Sequence, residues 1–439
     1  MSLLNKASLI QIPSGYKDGT LYSAKPTNGS GDFTFSRGSN LAATRVNSEG
    51  LIEKGRENLL LQSNTFDTTW VSIDVSLTSG QTGYDGSSNA WRLTKNASSL
   101  SRIQQNQSIS GIKTLSAYAK AETSDSLRFR LGSNDYIVEF NLSDETSTNV
   151  GSVTAISHDV QSIGSGWYRC IATWNVSSAS VVQIDNEFGT TSSNTILIQD
   201  AQLEVGLVST DVITTSTTTE QAGILEDMPR LDYSGGASCG HLLLEPQRSN
   251  LVTDSEYFGA WTNDTNTSLT ANAIQSPSGL VDAYKLIAGT STARQGIKFN
   301  LTPSGDLVQS FFAKKGEYSV VQITNGRNGS LYANFDLENG VLGSYQDCTP
   351  IIQEFSDGWY RCVITYNSTL GINNTRISIA ESTTQARLVN FAGNGSDGIY
   401  IWGAMVEEAT YATSYIPTYG GSSVTRSEDN CQVEDESAL

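Results

Sequence analysis

Apolar and polar residues alternate along most of this chain, with the two-residue period of half-buried strands rather than the 3.6-residue period of helices. The segments "GIKTLSAYAKA" (111–121), "LRFRLG" (127–132), "YIVEFNL" (136–142), "VVQIDNEF" (181–188) and "SVVQITN" (319–325) are short and rich in β-branched and aromatic residues. Gly, Ser, Asn and Asp bound them. Each predicts a strand, and the chain reads as all-β.

The strands come twice. "SGWYRCIATW" (165–174) returns 192 positions later as "DGWYRCVITY" (357–366). At the same offset Arg56-Glu57-Asn58-Leu59 matches Arg248-Ser249-Asn250-Leu251, and Ser63 and Phe66 match Ser255 and Phe258. Ala90-Trp91-Arg92-Leu93 matches Ala283-Tyr284-Lys285-Leu286, and Tyr118-Ala119-Lys120 matches Phe312-Ala313-Lys314. "ILIQDAQLEVG" (196–206) matches "IYIWGAMVEEA" (399–409) at an offset of 203. About eleven extra residues therefore lie between Cys362 and Ile399. They are expected in "ESTTQARLVNFAGNGSDG" (381–398), because surface loops absorb insertions at little cost.

A chain of 439 residues holds two or three domains. With the duplication, the economical reading is two tandem jelly-roll β-sandwiches. The expected divisions are an N-terminal segment at 1–45, sandwiches at 46–225 and 226–427, and an acidic C-terminal tail at 428–439.

In a strand, Tyr168, Cys170, Ala172 and Trp174 share one face, which Tyr360, Cys362, Ile364 and Tyr366 repeat. That marks a core face in both copies, with the cysteines as small buried fillers. The other face carries Trp167 with Arg169, and Trp359 with Arg361. These pairs either form a sugar platform or cover the sheet's second face, and their presence in both copies favours scaffold.

Differences between the copies are the better guide to function. Leu197 and Gln199 become Tyr400 and Trp402, an aromatic pair that is a ligand platform, a subunit contact or a core replacement for Leu. Tyr400, Trp402, Trp359 and Arg361 are the candidate carbohydrate-binding residues. Asp67 and Asp200 become Gly259 and Gly403. Two carboxylates lost together would follow if both bind one structural Ca²⁺ in the first sandwich, or they are unrelated surface positions. No other cofactor is required.

Charge narrows the partners. The net charge is −18, from 45 acidic and 27 basic residues, with no run of three basic residues, so nucleic acid is not expected. Apolar runs fall far short of the roughly 20 residues of a membrane helix. "MSLLNKASLIQIPSG" also lacks the apolar core of a secretory signal, so a soluble protein without membrane insertion is expected. Five cysteines without CxxC spacing read as free or buried thiols.

No catalytic residue is assigned. Glu204 and Glu407 recur between copies, as do Glu53 and Glu245, but spacing defines no pair of carboxylates for glycoside cleavage. Glu53 and Glu245 adjoin Arg56 and Arg248, which predicts structural ion pairs. His158 and His241 match nothing in the other copy, and HExxH is missing. The chain is therefore expected not to be an enzyme.

"ENLLLQSNTFDTTW" (57–70), "SNLVTDSEYFGAW" (249–261) and the strand "ILIQDAQLE" resemble the first and last strands of jelly-roll carbohydrate-binding modules. The resemblance implies calcium ligands at Asp67 and Asp200 alone. The segments at 7–53, 229–252 and 413–429 are similar to parts of exterior virion proteins of tailed bacteriophages, of head-fibre, capsid-decorating or tail-fibre type. This resemblance implies a virion-surface protein made in the host cytoplasm. Its partners would be other virion proteins of capsid or tail, further copies of itself, possible trimers among them, and host-surface or environmental glycans. The expected function is a non-enzymatic virion component that binds glycans. A purely structural capsid-decorating or cementing protein is the alternative, and a polysaccharide depolymerase the third.

Overall fold

A computed structural model describes residues 6–17, 19–38, 41–97, 101–132, 135–186, 192–264, 266–326, 329–369 and 371–433. The chain forms two compact units. One is Arg56–Ala222 with Tyr419–Gly421; the other is Met1–Gly55, Gly223–Thr418 and Ser422–Leu439.

The first unit is a β-sandwich built on two long strands, Ser101–Ala121 and Trp167–Asn186, paired antiparallel along nearly their whole length. Their register slips between Asn106 and Gly111, and beyond the slip they join different neighbours. The half at 101–106 and 181–186 pairs with Val71–Ile73 and with Ser126–Leu131, and Tyr136–Asn141 and Thr146–Asn149 continue the sheet. The half at 111–121 and 167–176 pairs with Ser157–Gly164 and with Thr195–Val205, followed by Ala90–Lys95 and Val75–Gln81. Gly111 sits at the slip with φ +74°, and a Cβ there would lie 2.8 Å from the carbonyl of Tyr419. Only glycine accommodates both the left-handed backbone and that approach.

The second sandwich repeats the plan with its long strands cut in two. Gly296–Phe299 and Gly305–Lys314 replace the first, and Trp359–Ser368 and Thr375–Ala380 the second. Two separate six-stranded sheets result. The fold is all-β, as the alternation predicts, and every strand segment quoted above is a strand; residues 187 and 188 of "VVQIDNEF" lie outside the described residues.

The repeated Asn58 and Asn250 explain one matched motif. Asn58 donates to the carbonyls of Ala201 and Ile213 and accepts from the amides of Leu60 and Leu203. Asn250 makes the same four bonds with Ala404, Ile416, Val252 and Val406. Each side chain is fully buried, so every donor and acceptor needs a partner, and these four bonds supply them.

The structure redraws the expected divisions. The first sandwich begins at Arg56, and the N-terminal segment belongs to the unit of the second sandwich. Its hairpin, Thr44–Val46 with Ile52–Lys54, brings Ala42 and Ile52 into a buried cluster with Phe312, Trp359 and Trp402. The segment after 427 is no free tail either. Asn430–Val433 pairs with Phe33–Ser36 in a four-stranded sheet, while residues 434–439 lie outside the described residues. Asp429 is ion-paired to Arg37 and Arg230, and Glu245 to Arg230 and Arg426, with all three guanidiniums fully buried. Buried guanidiniums require carboxylates, and that requirement fixes the C-terminal strand in place. Among the described residues no helix is long and apolar enough to cross a membrane.

Candidate functional site

The doubled pentapeptide is scaffold. Cys170, Ala172 and Trp174 face the main core of the first sandwich and Cys362 and Ile364 are buried in the second, as their alternation predicts. Burial pushes both thiols up, so they are inert fillers. Arg169 donates to the carbonyl of Thr210 and to Ser116, and lies 5.5 Å from the Tyr118 ring. Arg361 does the same with Thr413, Ser310 and Phe312. These arginines clamp the chain as it leaves each sandwich.

The expected aromatic platform does not present a surface. Trp402 is 0% and Trp359 1% exposed, and Arg361 is buried with them. Phe312 and Tyr415 pack on Trp402, and Lys54 lies 5.4 Å from its ring. Tyr400 is half-buried, with Lys285 over its ring. The indoles fill the outer side of the sheet beneath the N-terminal hairpin, so no ring face of Trp402 or Trp359 is left for a sugar.

Asp67 and Asp200 fit calcium poorly. Asp67 is exposed, whereas Asp200 is buried and accepts from Tyr84 Oη at 2.9 Å and from Gln199 at 3.4 Å. Burial raises the Asp200 carboxyl, and both donors fall on its Oδ2. Backbone shape explains the Asp200-to-Gly403 change. Both sit at positive φ, 51° and 62°, in the last strand, where Gly, Asn and Asp are favoured. Among the described residues no group of three or more His, Cys, Asp and Glu is placed to hold a metal. In the second sandwich a cation is built in: Lys54 Nζ donates to both oxygens of Glu256 at 2.9 Å and lies 3.9 Å from Asp282.

The recurring acids have structural partners. Glu204 and Glu407 cap the backbone amides and hydroxyls of Thr210 and Thr413. Glu53 pairs with Arg45, and Glu245 with Arg230 and Arg426, not with the adjoining Arg56 and Arg248, because strand direction points neighbours apart. His158 meets Ser147 at 2.7 Å, and His241 lies 3.5 Å from Asp232.

An unexpected site lies on the first sandwich. Ile103, Phe129, Val138 and Ile184 point into the core, so their neighbours point outward. Cross-strand register sets Arg102 and Arg128 opposite Asp185, Gln104 and Arg130 opposite Gln183, and Glu139 opposite Arg128. These side chains share one polar face, where Arg102, Gln104, Arg130, Asp135, Tyr136 and Gln183 line a cleft of about 620 Å³.

The floor of this face is buried. Asp185 is fully buried, 3.0 Å from Arg130 Nη2, and its Oδ1 lacks a hydrogen-bond partner among the described residues. Burial pushes its carboxyl up to about 6 against the pull of Arg130, Arg102 and Arg128. Gln183 donates to the carbonyl of Gly132 at 2.7 Å, while its Oε1 is buried and unpartnered. Arg128 pairs with Glu139, and Arg102 Nε donates to Gln104 at 3.1 Å. Buried acceptors without donors are uncommon, and a hydroxylated ligand supplies such donors.

The second sandwich shows the same face covered. Gln322 stands at the place of Arg128, Thr324 at Arg130, Ser378 at Asp185 and Asn334 at Glu139. The offset between copies rises from 193 at Asp185 and Ser378 to 203 at Ile196 and Ile399, which places the insertion in 381–397 as expected. That loop folds back over the face. Gln322 donates to the carbonyl of Ala386 and accepts from the amide of Leu388; Asn334 donates to the carbonyls of Thr383 and Gln385. Arg387 reaches the carbonyls of Leu331 and Asn325.

Sequence reasoning found the strand "LRFRLG" but passed over its two outward arginines. The signal was present: alternation puts Arg128 and Arg130 on one side in a chain poor in basic residues.

No family model matches the chain, and no curated protein matches it. Similar solved structures include the N-terminal CBM22-1–CBM22-2 tandem domain of Xyn10C from Paenibacillus barcinonensis. It is 11% identical, with 80% of this chain and 98% of that one covered and a TM-score of 0.24. The tandem CBM51 modules of Sp3GH98, a family 98 glycoside hydrolase from Streptococcus pneumoniae SP3-BS71, are 11% identical over 86% of this chain and 99% of theirs, with a TM-score of 0.19.

Proposed function

We propose that this chain is a non-catalytic glycan-binding protein whose binding face is the open polar face of the first sandwich. One observation carries the reading. The same face is built twice, and in the second copy its amides are occupied by backbone donors and acceptors of the 381–397 loop. In the first copy Gln183 Oε1 and Asp185 Oδ1 lie buried without a partner among the described residues, beside guanidinium and amide donors, as Ser378 Oγ does at the place of Asp185 in the second. A saccharide, whose hydroxyls both donate and accept, suits that mixture. Attachment to the exterior of a tailed-phage particle rests on the sequence resemblance, with the N-terminal segment and second sandwich as the scaffold.

The test is a glycan array probed with the full-length protein and a Gln183→Ala variant. The reading expects binding that the variant weakens about tenfold, on the scale of one or two lost buried hydrogen bonds. Failure to retain any glycan at millimolar concentration would leave the purely structural, capsid-decorating role. Release of reducing ends from a bound polysaccharide would make it an enzyme instead.

A further inference from the structure

The polar face of the first sandwich holds one guanidinium, that of Arg102, with no carboxylate partner among the described residues. The chain has 27 basic residues and a net charge of −18, yet three guanidiniums, Arg102, Arg128 and Arg130, stand on one face of three adjoining strands. Two have carboxylates, Glu139 for Arg128 and Asp185 for Arg130. Arg102 has only the side-chain oxygen of Gln104, with no carboxylate within 4.0 Å among the described residues. Asp135 also lines the cleft, so three carboxylates accompany three guanidiniums, and Arg102 is the one without a carboxylate within 4.0 Å among the described residues.

The duplicated face is an internal control. Where it meets the uncharged backbone of the 381–397 loop, the second copy has Gln322 and Asn334 in place of Arg128 and Glu139, Thr324 in place of Arg130, and Gly296 in place of Arg102. Its own basic residues on this face are Lys298 and Arg376, and Arg376 is ion-paired with Asp264. The loop-covered copy thus lacks all three of these guanidiniums, and the loop itself brings Arg387 to the carbonyls of Leu331 and Asn325.

We infer, on the footing that this face binds glycans, that its ligand is an acidic saccharide whose carboxylate is received by Arg102 at the edge of the cleft. A guanidinium presents a planar fork of donors that matches a carboxylate in two parallel bonds, and a half-buried one holds it more strongly than an ammonium in water.

The test uses the full chain and an array of uronate- and sialate-containing oligosaccharides, each printed beside its carboxyl-reduced counterpart. The acidic members should bind about tenfold or more tightly than their reduced partners. Arg102→Gln should erase that difference while Arg102→Lys keeps part of it, with thermal melting unchanged in both. Equal binding of acidic and reduced members, or binding of neutral glycans alone, overturns the inference and leaves the glycan reading standing. Silence across the whole array removes both.

Discussion

The side-chain oxygen of Gln322 accepts a 2.8 Å hydrogen bond from the backbone amide of Leu388, and so ties an inserted loop to the outer face of its own sheet. Side-chain amides of Gln322 and Asn334 hold its stretch from Thr383 to Leu388. Gln322→Ala therefore should speed hydrogen exchange at Leu388 about tenfold or more, by loss of one buried bond. Exchange that is unchanged there would mean the loop is held by other contacts.

Asp185 makes stability depend on pH in an unusual sense. Its carboxyl titrates near 4 when unfolded and at about 6 when folded. The raised value means its contribution is fully present below about pH 4 and is lost as pH rises through about 6. The loss amounts to about 3 kcal/mol at most. Asp185→Asn removes this slope, so in urea unfolding the variant should gain on the parent between pH 4 and pH 7. A gap that is flat, or that shrinks with rising pH, would show that the Arg130 pairing outweighs burial.

Asn58→Ala and Asn250→Ala should be costly to a similar degree. Each removes four buried hydrogen bonds and strands two amides and two carbonyls, a loss of about 2–4 kcal/mol in denaturant unfolding. Changes below about 0.5 kcal/mol would mean that water replaces the side chain at no cost.

Trp402→Ala separates packing from binding. Removing a fully buried indole should destabilise the second sandwich by about 3–5 kcal/mol, while glycan binding by the first sandwich is retained. A variant that folds as firmly as the parent and loses binding would restore Trp402 as a ligand contact.

Chelation is expected to leave the melting of the full chain unchanged, because Tyr84 and Gln199 already serve the Asp200 carboxylate. A midpoint lowered by EDTA and recovered with calcium would show that the ion displaces those donors.

The chain order by itself determined the repeat, its register and the inward faces of its strands. Alternation with period two is a local property, and it correctly set Cys170 and Cys362 inward. Matching offsets also placed the insertion between Cys362 and Ile399, in the segment 381–398. Tertiary structure decided what covers each outward face, which no local pattern encodes. Trp402 is buried because Ala42 and Ile52, some 350 positions earlier, pack over its cluster. Gln322 and Asn334 are covered in the second copy because ten further residues give its loop the reach to fold back over its own sheet.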